Sequence, residues 1–194
     1  MSLLSGNPNA LGIHEQPLFA AADCARIVRL VGDSPAWQHA GVYSGTREGS
    51  TVDLEERSAR SVSLPLDDAG WPLSTIIEGL TTANDEYFRF DLVTVPADDA
   101  PSVMRYEADS ADHFKAHRDA GPFAPTRKLT FTVQLSNPSD YIGGDLVFPD
   151  LGGTAPRAIG TLISFPSFEF HHVTPVLRGT RFAIVGWVHG TTLQ

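Results

Sequence analysis

The chain has 194 residues, the size of one domain that buries a substantial core. Its formal net charge is −9 with only 14 Lys and Arg residues, so the sequence lacks the basic surface that a nucleic-acid partner requires. No apolar run is as long as a bilayer span, and no basic segment followed by an apolar core marks the N-terminus, so we expect no membrane association. From the same two observations we expect a cytoplasmic protein. Cys24 is the single cysteine, which excludes an internal disulfide. Composition leaves the oligomeric state open.

The N-terminal half, residues 1–90, is predicted to contain two helices and supporting strands. Apolar residues at helical spacing predict an amphipathic helix over residues 20–32 and a longer helix over residues 72–88. The segment between them, residues 41–60, is rich in Gly, Ser, Thr and charged residues. We expect it to form strands joined by a mobile loop that acts as a lid.

From residue 90 onward the pattern changes to short β-rich runs separated by turn-forming residues. Eight strands are predicted, over residues 92–95, 102–106, 114–117, 129–136, 145–148, 162–165, 172–176 and 182–188. Their even spacing behind two helices favours a closed architecture such as a jelly roll, also called a double-stranded β-helix. We therefore expect a mainly β protein with flanking N-terminal helices, formed by a single domain over residues 1–194 with its core in residues 91–190.

The strand predicted over residues 129–136 alternates strictly between apolar and polar side chains. One face carries Phe131, Val133 and Leu135, and the other carries Thr130, Thr132, Gln134 and Ser136. The sequence allows two interpretations of the polar face. It either faces solvent or lines a pocket inside the β architecture.

His117 and Asp119 form a His-x-Asp pair of the kind that binds a divalent metal. In an extended segment, residues i and i+2 point to the same side, so both side chains can reach one ion. The pair is short enough to arise by chance, and the alternative is a surface His and Asp beside a turn. His113 and His117 have the spacing of a zinc-protease helix, but the segment between them lacks the general-base Glu. A structural zinc site would require thiolates, so a mononuclear site of imidazoles and carboxylate fits better.

Two distant groups complete this candidate site. Either His171 or His172 supplies the second imidazole, and strand parity alone does not choose between them. Two His and one carboxylate form the facial triad of non-haem iron oxygenases, which leaves coordination positions open for a cosubstrate and O₂. Arg181 begins an apolar strand, where a buried guanidinium requires an anion, either a ligand carboxylate or Glu169.

Several blocks of sequence, in their order and spacing, resemble the Fe(II)/2-oxoglutarate oxygenases. The resemblance is to the prolyl-4-hydroxylase-like branch and, within it, to the bacterial PKHD-type hydroxylases. It covers about half of the chain. The blocks that carry it are Arg105-Tyr106, His117-Arg118-Asp119, and residues 127–130, 134–138, 141–146, 165–167, 171–176, 179–181 and 186–187.

The resemblance implies a role for each site residue. It implies that His117, Asp119 and His171, rather than His172, bind the metal. It implies that Arg181 holds the distal carboxylate of 2-oxoglutarate, and that further cosubstrate contacts come from Tyr106, Thr132, Gln134 and Trp187. The implied cofactor is Fe(II), with 2-oxoglutarate and O₂ as cosubstrates and ascorbate as an optional reductant.

The resemblance also implies the reaction, the hydroxylation of an unactivated C–H bond. The substrate class it suggests is an amino-acid side chain, proline-like, in a peptide or protein or free. Two alternatives stay open, oxidation of another small-molecule metabolite and a non-catalytic metal-binding β-barrel sensor. Three arginines, Arg57, Arg60 and Arg127, are candidates to meet an acidic group of the substrate.

Overall fold

A computed structural model describes residues 12–43 and 50–191, and both predicted helices are present in it. Helix α1 is Ala21–Val31, and helix α2 is Leu73–Ala83, continued by a π-helical turn at Asn84–Phe88. The Asp23 carboxylate accepts a hydrogen bond from the Ala20 N–H, so a side chain in the first turn caps the start of α1. Short 3₁₀ turns lie at Ala97–Asp99, Ala108–Ser110 and Pro149–Leu151.

The remaining regular structure of the described residues is antiparallel β. The strands are β1 His14–Pro17, β2 Gln38–His39, β3 Val42–Tyr43, β4 Ser50–Thr51, β5 Arg57–Ser58, β6 Arg60–Ser63, β7 Leu92–Thr94, β8 Ser102–Glu107, β9 His113–His117, β10 Arg127–Gln134, β11 Ile142–Gly143, β12 Leu146–Phe148, β13 Gly153–Thr154, β14 Thr161–Pro166, β15 His171–Val173, β16 Val176–Arg178 and β17 Thr180–Gly190. The predicted strand over residues 172–176 is thus wrong in its bounds. Pro175, which has no N–H for a ladder, separates β15 from β16.

Two sheets hold most of these strands. The larger sheet has eight strands in the order β1-β14-β10-β17-β8-β6-β2, with β7 also paired to β17. The smaller sheet has five strands in the order β13-β12-β15-β9-β5. The pairs β11-β16 and β3-β4 are separate two-stranded sheets. The fold is therefore the expected mainly β jelly roll with flanking helices.

The larger sheet separates two buried layers. One face packs against the helices, so that Ile27 of α1 and Ile76 of α2 share a core with Phe131. The opposite face packs against the smaller sheet, so that Phe165 shares a second core with Phe148. The space between the two sheets is where the polar side chains of the candidate site converge.

The polar face of β10 points into the space between the sheets and not toward solvent. Thr130, Thr132 and Gln134 are only 2%, 4% and 2% exposed. The interpretation of this face as a pocket lining is therefore correct for Thr130 and Thr132, because the helices cover one side of the sheet and the smaller sheet covers the other.

The predicted lid segment, residues 41–60, lies only partly within the described residues. It contributes strands β3, β4 and β5, as expected, whereas residues 44–49 lie outside the described part of the chain. Across the described ranges, neither helix has the length and apolar character that a membrane crossing requires.

Candidate metal centre

The structure brings three of the predicted residues to one point. His117 is the last residue of β9, and His171 is the first residue of β15 and its register partner. Asp119 follows two residues after β9, and its two carboxylate oxygens each lie 3.5 Å from an Nε2 atom, one of His117 and one of His171. All three potential ligand atoms lie within 4.8 Å of one another. The pairing of β9 with β15 thus selects His171, which strand parity could not do.

Each imidazole is held by a backbone carbonyl two residues earlier in the chain. His117 Nδ1 lies 2.8 Å from the Lys115 carbonyl oxygen, and His171 Nδ1 lies 2.9 Å from that of Glu169. A carbonyl accepts only, so Nδ1 carries the proton in both rings. The lone pair is then on Nε2, the atom that points toward Asp119, as a metal ligand requires.

Hydrogen bonds hold both the carboxylate and the backbone of Asp119 in place. The Thr130 hydroxyl donates to its Oδ2 at 2.8 Å, and the Asp119 N–H donates to the Ser167 carbonyl at 2.9 Å. Burial alone would raise the pKa of this carboxyl, but the positive charge that His171 carries at low pH, the contact with His117 and the Thr130 hydroxyl hold the pKa below its usual range. The group is therefore an anion.

His171 is neutral at physiological pH. Burial lowers its pKa from 6.5 to about 4; Asp119 opposes this change, and His117 adds to it. A neutral imidazole is the form that binds a metal. Two imidazoles and one carboxylate that converge beside the pocket fit the donor set of the iron facial triad.

Sequence reasoning missed the neighbours that support these ligands. The ring of Phe114 stacks on His117 with ring centroids 3.6 Å apart, and Ser167 lies 3.0 Å from the Thr130 hydroxyl. The hydroxyl of Thr130 was named only as part of a polar strand face. The alternation of apolar and polar residues along β10 indicated that Thr130 lies on a strand that lines the pocket. It did not indicate which residue the Thr130 side chain contacts.

Arg181 lies in the same pocket and is 2% exposed. Its Nη2 donates to Gln134 Oε1 at 3.0 Å, and its guanidinium lies 5.4 Å from the centroid of the Tyr106 ring. Within the described residues it has no carboxylate partner, so the alternative of a salt bridge with Glu169 is wrong. Among the described residues, the Arg181 Nε and the buried Thr132 hydroxyl both lack a hydrogen-bond partner. Both residues line the pocket, which fits an anionic ligand.

The other predicted cosubstrate residues lie around Arg181. Tyr106 is its register partner on β8 and lines the pocket, as does Trp187. Gln134 is not among the residues that line the pocket, and it contacts Arg181 instead. The Trp187 ring is covered by the Arg127 guanidinium, 3.5 Å from its centroid.

A cleft of about 650 Å³ opens outward from the pocket. His117 and Asp119 line both spaces, so the candidate metal centre stands between the inner pocket and the outer cleft. The centre is therefore accessible from the cleft, and Arg181 lines the inner pocket beside it. The residues that line both spaces are Arg57, Phe114, His117, Asp119 and Trp187.

Comparison of the sequence with known families gives one clear match. Residues 101–189 match the model of the 2OG-Fe(II) oxygenase superfamily. A PKHD-type hydroxylase of Idiomarina loihiensis is 32% identical over 96 residues, covering 48% of this chain and 43% of that protein. A PKHD-type hydroxylase of Prochlorococcus marinus is 27% identical over 179 residues, covering 88% of this chain and 75% of that protein. The match thus spans less than half the length of the Idiomarina relative.

Comparison of the coordinates with solved structures gives the same architecture. A prolyl hydroxylase of Trichoplax adhaerens, solved with a hypoxia inducible factor peptide fragment, has a TM-score of 0.73 at 17% identity, covering 94% of this chain and 85% of that chain. A prolyl-4-hydroxylase of Pseudomonas putida has a TM-score of 0.64 at 21% identity, covering 92% of each chain. At these identities the likeness concerns the fold. The sequence match over residues 101–189 and the shared fold make this chain similar to the 2OG-Fe(II) oxygenase superfamily and to hydroxylases of the PKHD and prolyl-hydroxylase type.

Proposed function

We propose that the chain is an Fe(II)- and 2-oxoglutarate-dependent hydroxylase. The observation that carries this proposal is a single pocket with an N,N,O donor set at one end and a buried guanidinium without a carboxylate partner at the other. His117, Asp119 and His171 would hold Fe(II), and Arg181 would bind the distal carboxylate of 2-oxoglutarate. The family match over residues 101–189 supports the same reaction class.

Bound iron would supply oxygen activation coupled to decarboxylation of 2-oxoglutarate to succinate and CO₂, with ascorbate as an optional reductant. The chain itself orients and shields the reactants. The two backbone carbonyls keep both Nε2 atoms directed at the centre, and Thr130 keeps the Asp119 carboxylate in place. Apolar walls, which include Leu146 and Phe165, exclude water from the inner pocket.

The neighbours of Arg181 would also contribute to binding of the cosubstrate. The Thr132 hydroxyl, which is buried without a partner, would donate to the same carboxylate. Gln134 would fix the guanidinium through its Oε1 atom, and Tyr106 and Trp187 would bound the pocket on either side.

For the substrate we propose an amino-acid side chain, proline-like, in a peptide or free. The support is the fold shared with prolyl hydroxylases, one of them solved with a peptide, and the open cleft beside His117. We further propose a single oxygenase domain over residues 1–194, with its jelly-roll core in residues 91–190. A cytoplasmic location stays part of the proposal.

The proposal predicts a spectroscopic signature. Anaerobic addition of Fe(II) and 2-oxoglutarate should produce a weak visible charge-transfer band, which His117→Ala or Asp119→Ala should abolish because each removes one metal ligand. The matched control is His172→Ala, which removes the adjacent imidazole outside the donor set and should leave the band intact. Absence of the band in the unmodified protein, with no succinate formed in air, would favour a non-catalytic metal-binding module instead.

A further inference from the structure

The acidic side chains that line the outer cleft beside the metal centre are already engaged. Asp53 accepts hydrogen bonds from the backbone N–H groups of Glu55 and Glu56, at 3.0 and 3.3 Å. Glu56 pairs with the Lys115 ammonium at 2.9 Å. Among the described residues, neither acidic group forms an ion pair with an arginine of the cleft.

Two of the cleft arginines also have acidic partners. Arg118 lies 3.6 Å from an Asp150 oxygen and donates to the Phe168 carbonyl at 2.8 Å. Arg127 makes a two-point pair with Asp99, with both N–O distances at 2.7 Å. Their charges are thus compensated within the protein.

Arg57 differs from these groups because its partners are neutral. Its Nη1 donates to the Gly41 carbonyl at 3.1 Å, its Nη2 lies 3.4 Å from the Met104 sulfur, and its guanidinium lies 4.4 Å from the centroid of the Phe114 ring. The residue is 9% exposed, and its buried Nε has no hydrogen-bond partner in the part of the chain that the structure describes. Within residues 12–43 and 50–191, no carboxylate forms an ion pair with it.

A buried guanidinium that has only neutral partners is best stabilised by an anion. Burial removes the hydration of the charge, and neutral acceptors replace only part of it. A carboxylate can form two parallel hydrogen bonds with a guanidinium, which makes it the most complementary ligand. The position of Arg57 is also informative, because it lines both the inner pocket and the outer cleft.

We propose that Arg57 binds a carboxylate of the substrate, so that the substrate is a small organic acid with its carboxylate close to the oxidised carbon. This inference rests on the proposed hydroxylase function and narrows its substrate class. Arg181 on β17 would serve the cosubstrate, and Arg57 on β5 would serve the substrate from the cleft side. A free amino acid meets this requirement, whereas a residue inside a peptide chain lacks the α-carboxylate.

The test measures binding without turnover. The protein is loaded with Fe(II) and saturating 2-oxoglutarate in the absence of O₂, so that the Arg181 end of the pocket is filled. Cyclopentanecarboxylate and its uncharged analogue cyclopentanecarboxamide are then titrated by calorimetry. We expect the acid to bind at least about tenfold more tightly than the amide, because hydrogen bonds to a charged partner are the stronger ones.

Variants assign this preference to one side chain. Arg57→Gln should abolish the preference for the acid, and Arg57→Lys should keep part of it because the charge remains. Arg118→Gln is the matched control, since it removes another arginine of the same cleft and should leave the preference unchanged. A wild-type protein that binds acid and amide equally, or binds neither, contradicts the proposed subsite, as does a preference that survives Arg57→Gln.

The charge-transfer band of the same samples separates this inference from the proposed function. Loss of the band in the wild-type protein would contradict the hydroxylase proposal itself. A wild-type band without any preference for the acid would contradict only the Arg57 subsite. Loss of the band in Arg57→Gln alone would instead make Arg57 a positioning residue that acts on His117 through the stacked Phe114 ring, and would overturn the substrate role.

Discussion

Thr130 and Thr132 share one face of β10, yet they contact different parts of the pocket. The Thr130 hydroxyl donates to Asp119, whereas the Thr132 hydroxyl lacks a partner among the described residues. Both side chains are almost completely buried. The pair therefore offers a direct way to separate support of the metal ligand from binding of the cosubstrate.

We predict that Thr130→Val lowers metal affinity about tenfold, because partners that orient a ligand are typically worth that much or more. The measurement is competition with a chelator of known affinity for the same divalent ion. Thr132→Val is the control, and it should leave metal affinity unchanged while weakening binding of 2-oxoglutarate. Equal loss of metal affinity in both variants would contradict the assignment of Thr130 as the residue that supports Asp119.

At the scale of the elements, the sequence predicted the helices and strands whose apolar residues follow a regular period. The two helices and most strands of the second half were found because their apolar residues repeat over many positions. The strands of the first half were not placed, since β2 and β5 have two residues each and no measurable period. The choice of His171 also needed the register of β15 against β9, a long-range pairing that local pattern does not encode.

The close approach of β17 to the core gives a prediction about stability. A Cβ atom added at Gly186 would lie 2.5 Å from Phe131 Cζ, and the Phe131 ring is fully buried and cannot move aside. We predict that Gly186→Ala lowers the free energy of unfolding by about 1–3 kcal/mol, the usual cost of overpacking. Urea denaturation measures this change.

Gly121→Ala provides the reference for that experiment. A Cβ atom at Gly121 would meet nothing within 4 Å, so its effect should stay within about 0.5 kcal/mol. If Gly186→Ala proved as mild as Gly121→Ala, the tight packing of β17 on Phe131 would be refuted.

At the scale of the whole molecule, the N-terminal half completes both sheets. Strands β1, β6 and β2 extend the larger sheet, and β5 forms an edge of the smaller one. Helices α1 and α2 cover the outer face of the larger sheet. The proposed core in residues 91–190 is thus flanked by earlier segments at both edges of the larger sheet, at one edge of the smaller sheet and on the outer face.

We predict that a fragment of residues 91–194 does not fold cooperatively, because it would expose unpaired strand edges and the apolar face that the helices cover. Thermal unfolding followed by circular dichroism would test this, with the full chain as the control. A sharp transition in the fragment, similar to that of the full chain, would show that the second half is sufficient for folding.

The two ends of the inner pocket belong to different layers of the molecule. His117 and His171 lie on β9 and β15 of the smaller sheet, whereas Arg181 lies on β17 of the larger one. A dicarboxylate that reaches from the metal centre to the guanidinium would contact both sheets and connect these layers. We expect its length to be selected by the separation of the two sheets, so that a shorter diacid would leave one end of the pocket unfilled.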